Sequence, residues 1–129
     1  MINYGFVKEV GMDFEQAVEQ VTEALKKAGF GVLTTINVRE KFKEKLGIEF
    51  KKYMILGACN PPSAHKAILA EENIGLMLPC NVVIYERQNK TVISMIRPRV
   101  AMQMINNAEL EQIASTVEGK LKKVFDSIG

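Results

Sequence analysis

Apolar positions along the chain recur at two periods, and the switches between them lay out the elements. From Tyr4 to Val10 the period is two, with Tyr4, Phe6 and Lys8 on one side and Gly5, Val7 and Glu9 on the other, which predicts a strand. Phe14, Ala17, Val18, Val21, Ala24, Leu25 and Ala28 then follow at three- and four-residue steps, the single stripe of an amphipathic helix. Asp13 and Gln16 make a capping box at its start, and Gly29 supplies a left-handed stop. Gly31 to Ile36 is short and rich in β-branched residues, so a second strand is expected. Asn37 and Glu40 form another capping box. The helix they open, Val38 to Leu46, has only Val38, Phe42 and Leu46 as its apolar line and should lie on the surface, ended by Gly47.

Tyr53 to Cys59 is an unbroken apolar run, which predicts a strand covered on both faces or a central one. Its Gly57 and Ala58 leave room for another backbone or a ligand to approach. Asn60 and Pro61 each precede a proline and are held extended, so the next helix starts between Pro61 and Ser63. It should run to about Glu72, pack along Ala64, Ala67 and Ile68, and close at Asn73 or Gly75. Ile74 to Tyr85 would be one long strand but for Pro79, which lacks an amide donor, so two strand pieces are expected. Gln88-Asn89 is a two-residue turn, and Lys90 to Ile96 pairs back as a hairpin. After Arg97-Pro98-Arg99 and a Met-rich link, Asn106 and Glu109 make a third capping box. The last helix then carries Leu110, Ile113, Ala114, Val117, Leu121, Val124, Phe125 and Ile128 as its stripe. The order predicts a two-layer α+β domain, with a mixed or largely antiparallel sheet and the two long helices on one face.

Composition narrows the class without naming a partner. The 129 residues fit one domain, 1–129, and 47% hydrophobic with 25% charged residues describes a soluble globular protein. Seventeen basic residues nearly balance 15 acidic ones and there is no Trp, which argues against a nucleic-acid face. There is no basic segment followed by a long apolar run at the N-terminus and no apolar stretch long enough for a bilayer, so no membrane association and a cytoplasmic location are expected. Two cysteines without a Cys-x-x-Cys spacing suggest neither a disulfide scaffold nor a thioredoxin-type motif.

The candidate chemistry gathers at Leu56 to His65, which holds Cys59 and the only histidine, and at its partial echo Leu78-Pro79-Cys80-Asn81. Two Cys-Asn pairs at the ends of apolar runs are expected to meet at one edge of the sheet. Asn60, Ser63 and Asn81 offer side-chain hydrogen bonds beside a helix start, so a small polar or anionic ligand held near Asn60, Pro61, Ser63, His65, Cys80 and Asn81 is the leading functional reading. A thiol- or metal-dependent activity, with zinc or copper on Cys59, His65 and Cys80, is the alternative, although their spacing matches no zinc signature and His65 falls on the flank of its helix, where a partly buried packing role is expected. A structural homodimer without a ligand is the third. Met95, Met102 and Met104 beside Arg97 and Arg99 are expected to fill core gaps or an interface. No zincin helix, nucleophile elbow, Walker loop or dinucleotide fingerprint occurs, and no cofactor is indicated.

Tyr4-Gly5-Phe6, Ala28 to Leu33, Leu56 to Pro61, Ile74-Gly75-Leu76 and Leu78 to Val83 together resemble the domain of unknown function 302 family across nearly the whole chain. The resemblance implies a compact single α/β domain, often a dimer, and no established reaction. His65 stands where the family pattern has an aromatic such as Tyr, and Arg97 stands before Pro98 where it has Asp. Other branches keep the Asn-Pro pair but not the cysteines, so the resemblance favours Asn60-Pro61 over thiol chemistry.

Overall fold

The computed structural model describes residues 2–129. Strand β1 (Gly5–Val10) leads into α1 (Phe14–Lys27), which crosses the sheet to β2 (Gly31–Asn37). The short α2 (Val38–Leu46), β3 (Tyr53–Cys59) and α3 (Pro61–Ala70) follow, then a 3-10 helix (Glu72–Met77), the hairpin β4 (Cys80–Arg87) and β5 (Lys90–Ile96), a four-residue α4 (Pro98–Ala101) and α5 (Ala108–Ser127). The strands form one five-stranded sheet in the order β1-β5-β4-β3-β2, and every neighbouring pair is antiparallel. The result is an α+β domain in which β1 and β2 run the same way at opposite edges, joined by α1.

The alternation of each strand sorts its side chains. Phe6, Met95, Val82, Leu56 and Thr35 lie in one row of cross-strand partners, and Lys8, Ile93, Ile84, Met54 and Asn37 in the next. These rows meet the stripes of α1 and α5 in a core where Ala17, Val21, Leu25, Val82, Ile84, Ile93, Met95 and Leu121 have no exposed surface. Burying each of the larger ones contributes roughly 1.5–3 kcal/mol. Both long helices thus lie on one face, as their stripes require.

Local signals mostly act as read. Asp13, Asn37 and Asn60 cap their helices by accepting from the third residue on, Gly29 and Gly47 take left-handed backbones, and Gln88 and Asn89 both have positive φ in the hairpin turn. Three expectations are corrected. The segment before Pro79 is not a strand piece but the 3-10 helix, which buries Ile74 in a second small cluster with Ala67, Met102, Leu110 and Ala114. The last helix is capped by Asn107, not Asn106: the Asn107 side chain accepts from Leu110 N and also donates to Ala70 O, a tertiary tie its neighbour does not make. In α3 the packing line is Ala64 and Ala67, whereas Ile68 is exposed.

The opposite face of the sheet is covered only at one end. There α2 sends Phe42 against Phe50, which meets Tyr53, whose ring stacks on its cross-strand partner Tyr85 at 5.3 Å. Burial, with Tyr85 and Tyr4 close by, pushes the Tyr53 phenol above its ordinary pKa.

Candidate functional site

The strand-to-helix corner lies where β3 ends, β2 and β4 begin, and α3 and α4 fold across. Asn60 holds it together with both ends of its side chain: Oδ1 accepts from Ser63 N at 3.1 Å, capping α3, and Nδ2 donates to Gly29 O at 3.2 Å, pinning α3 to the stop of α1. Gly29 is left-handed, with φ of 86°. The room that Gly57 was expected to leave for a ligand is taken by the chain itself, because a Cβ there would sit 2.1 Å from Thr34 Oγ1 and 2.7 Å from Pro79 Cγ. The Leu78–Pro79 peptide is cis.

Beneath α3 lies a narrow apolar cleft. Phe30, Ala58, Ala67, Ile113 and Val117 line it together with Cys59, Asn60, Ser63, Ala64, Pro79 and Cys80. Space for water-sized occupants is about 30 Å³, so the cleft is closed to anything larger unless α3 moves. That helix is lightly anchored: it packs on α5 and the 3-10 helix, and Ala67 is its one buried residue.

The predicted site residues divide at this corner. Asn60, Ser63 and Cys80 come together with Cys59, but Pro61 and His65 face solvent and Asn81 is exposed, pairing with Gly57 on the far side of the sheet. His65 is therefore not the half-buried packing residue expected. Among the described residues no three His, Cys, Asp or Glu side chains gather as a metal would require, so Cys59, His65 and Cys80 do not form the zinc or copper set considered from the sequence. Register explains part of this: Cys80 pairs with Ala58, leaving Cys59 one step out of alternation. Both cysteines are unpaired. Burial, and to a lesser extent the neighbouring Cys59, pushes the Cys80 thiol up to about 11, which keeps it protonated and unreactive at neutral pH.

The Met and Arg group also disperses. Met95 is in the main core, Met102 in the small cluster and Met104 at the surface. Arg97 donates through Nε to Glu118 at 3.0 Å, and the same carboxylate accepts from Arg99 N, fastening the turn after β5 to α5. Sequence reasoning missed Glu118 because one carboxylate on a helix flank carries no local signal.

The fold and its corner define a small α+β domain of a type known from other chains. The chain matches the domain of unknown function DUF302 over residues 6–128, and it belongs to that family. It is similar to the crystal structure of an uncharacterized conserved DUF302 protein from Bacillus stearothermophilus, at 32% identity and a TM-score of 0.91, with 98% of each chain covered. No curated protein matches it. Among the described residues no helix is long and apolar enough to cross a membrane.

Proposed function

We propose that this domain is a small-ligand binding module whose ligand enters the cleft beneath α3. The observation that carries the reading is a lightly held helix over an apolar cleft that Cys59, Ser63 and Cys80 help to line. Both polar ends of Asn60 are engaged within the chain, so the ligand the cleft favours is largely apolar with a small polar head. Ser63 makes the cap with its backbone N–H and leaves its hydroxyl for that head. Binding lifts α3 and replaces its few contacts by ligand contacts. Two unpaired cysteines fit a reducing compartment, which supports a cytoplasmic location. The apolar character of the open sheet face supports a homodimer.

A thermal-shift screen against short-chain acids, alcohols and aromatic metabolites, repeated on Ala64→Phe, tests the ligand reading. The expected outcome is a concentration-dependent rise in Tm that the filled cleft abolishes. No shift with any compound, or an equal shift in Ala64→Phe, overturns it.

A further inference from the structure

At the end of the sheet that α2 covers, cations and aromatic rings share one surface. Arg87 and Lys90 are direct cross-strand partners, and Tyr85, two residues before Arg87, lies on the same face opposite Tyr53. A hydrogen bond from Glu86 N to Lys52 O carries the β3–β4 ladder one pair past Tyr53, which brings Lys51 to the position opposite Arg87. Lys51 accordingly stands over the Tyr85 ring, with Nζ 4.7 Å from its centroid. Three cations thus form one row beside two rings stacked at 5.3 Å. All three are exposed, and among the described residues none of them is in an ion pair. Like charges set directly opposite each other destabilise a sheet, so the row works against the fold of the chain that carries it.

The near balance of charge over the whole chain, which argued against a nucleic-acid face, hides an uneven distribution. Residues 39–52 and 85–90 together carry eight basic side chains against four acidic ones, whereas the rest of the chain carries nine against eleven. Within this region Lys41 is engaged by Glu44, Lys43 by Glu49 and Lys52 by Glu15, which leaves Arg39 and Lys45 to extend the positive field of the row. Glu9, paired with Val92 on the β1 edge of the same face, bounds that field. The rings form a ladder through it: Phe42 meets Phe50 edge-on, Phe50 meets Tyr53, and Tyr53 stacks on Tyr85. Tyr85 ends the ladder, half-buried, with the Lys51 ammonium over its ring. A cation–π contact of an exposed lysine is weak and exchanges readily for a stacked base.

We infer that this end of the sheet binds single-stranded nucleic acid. A base takes the place of Lys51 over the Tyr85 ring, and Lys51, Arg87 and Lys90 take the phosphates on either side of it. Cations alone would suit any polyanion, and the aromatic ladder among them selects one that carries planar bases. A double helix keeps its bases stacked on one another and would offer this surface phosphates without the ring contact. The activity is separate from the cleft beneath α3, because Tyr53 opens β3 and the strand-to-helix corner closes it.

Fluorescence anisotropy of dye-labelled oligo(U) and oligo(dT), each ~12 nucleotides long, titrated with the full chain at several salt concentrations, tests the inference. Log affinity is expected to fall against log salt with a slope of about −2, as three neutralised phosphates on a single strand require. Arg87→Ala and Lys90→Ala should each make that slope shallower by ~0.7. Tyr85→Ala should weaken binding roughly tenfold and leave the slope as it was. Lys120→Ala, exposed on α5, should change neither. Arg87 and Lys90 are exposed at the hairpin end, so their variants keep the fold and decide the matter even if Tyr85→Ala unfolds the chain. No binding of either strand at low salt overturns the inference, and so does a loss on Arg87→Ala no larger than that on Lys120→Ala. Equal affinity for a duplex of the same length, or displacement of the probe by polyglutamate as readily as by unlabelled oligo(U), would show attraction by charge alone and overturn it as well.

Discussion

The two faces of the sheet are made by the same five strands and from much the same residue types, yet they end in different states. On the helix side Val82, Ile84, Ile93 and Met95 are wholly buried. On the other side Val92, at the end that α2 and Phe50 cover, is also wholly buried, but Val83, Ser94 and Ile55 are half-buried, and Val7 and Ile36 are exposed. The difference comes from the connections, not from strand composition. The crossover that joins the parallel edge strands β1 and β2 places α1 on one side, and α5 returns on that same side after the hairpin. Two amphipathic helices are enough to dry one face and leave nothing for the other except α2 at one end. Apolar character on a strand therefore states a need for cover without stating which part of the assembly supplies it.

The largest expected effect breaks the comparison if it fails. Ile84→Ala, on the helix side of β4, should lower unfolding free energy by about 3–4 kcal/mol in urea denaturation, from lost burial and a cavity that tightly packed helices cannot close. Val83→Ala, one residue away on the open side, should cost under ~1 kcal/mol when measured at concentrations where the chain is monomeric. Equal costs would mean that both faces are closed within one chain.

How much of this was legible in the sequence follows the range of each signal. Helix starts and stops were readable because they rest on contacts three or four residues apart, as at Asp13, Asn37, Gly29 and Gly47. The fold class followed from the two long stripes. The same logic failed where a distant partner decided: Asn107 displaced Asn106 as a cap through its bond to Ala70 O, and the segment before Pro79 coiled because Ile74 had a cluster to enter. At the candidate site, the meeting of Asn60, Cys59 and Cys80 was visible as an echo between two apolar runs. The outward turn of His65 and Asn81 was not, since it depends on helix phase and on register with Gly57. The family resemblance had pointed to the Asn-Pro corner over the thiols. The geometry shows what the corner does within the chain: Asn60 caps α3 and ties it to the end of α1.

A pH series sharpens the comparison at the level of a single group. Cys80 lies on the helix side opposite Ala58, and burial there has raised its thiol from an ordinary 9.0 to about 11. The folded form thus holds the proton that the unfolded chain gives up first. Its contribution to stability is intact below pH 9 and is lost as pH rises to about 11, by roughly 2–3 kcal/mol in all. Between those limits the intact chain should lose stability faster than Cys80→Ala, measured by urea midpoints at each pH. Parallel curves would show that the thiol is not desolvated and that the cleft rim is wetter than its burial implies.

A smaller effect than that of Ile84 or Cys80 belongs to the strand-to-helix corner. Asn60→Ala removes the cap on Ser63 N and the bond to Gly29 O together and should cost about 1–2 kcal/mol. Asn60→Asp keeps an acceptor for Ser63 N and loses the donor to Gly29, so it should cost about half as much. A purely ligand-holding Asn60 would leave stability unchanged in both. Because the corner belongs to one chain's own fold, the loss should be the same at every protein concentration. A loss that vanished on dilution would move Asn60 from the corner's internal bonding to an interface between copies.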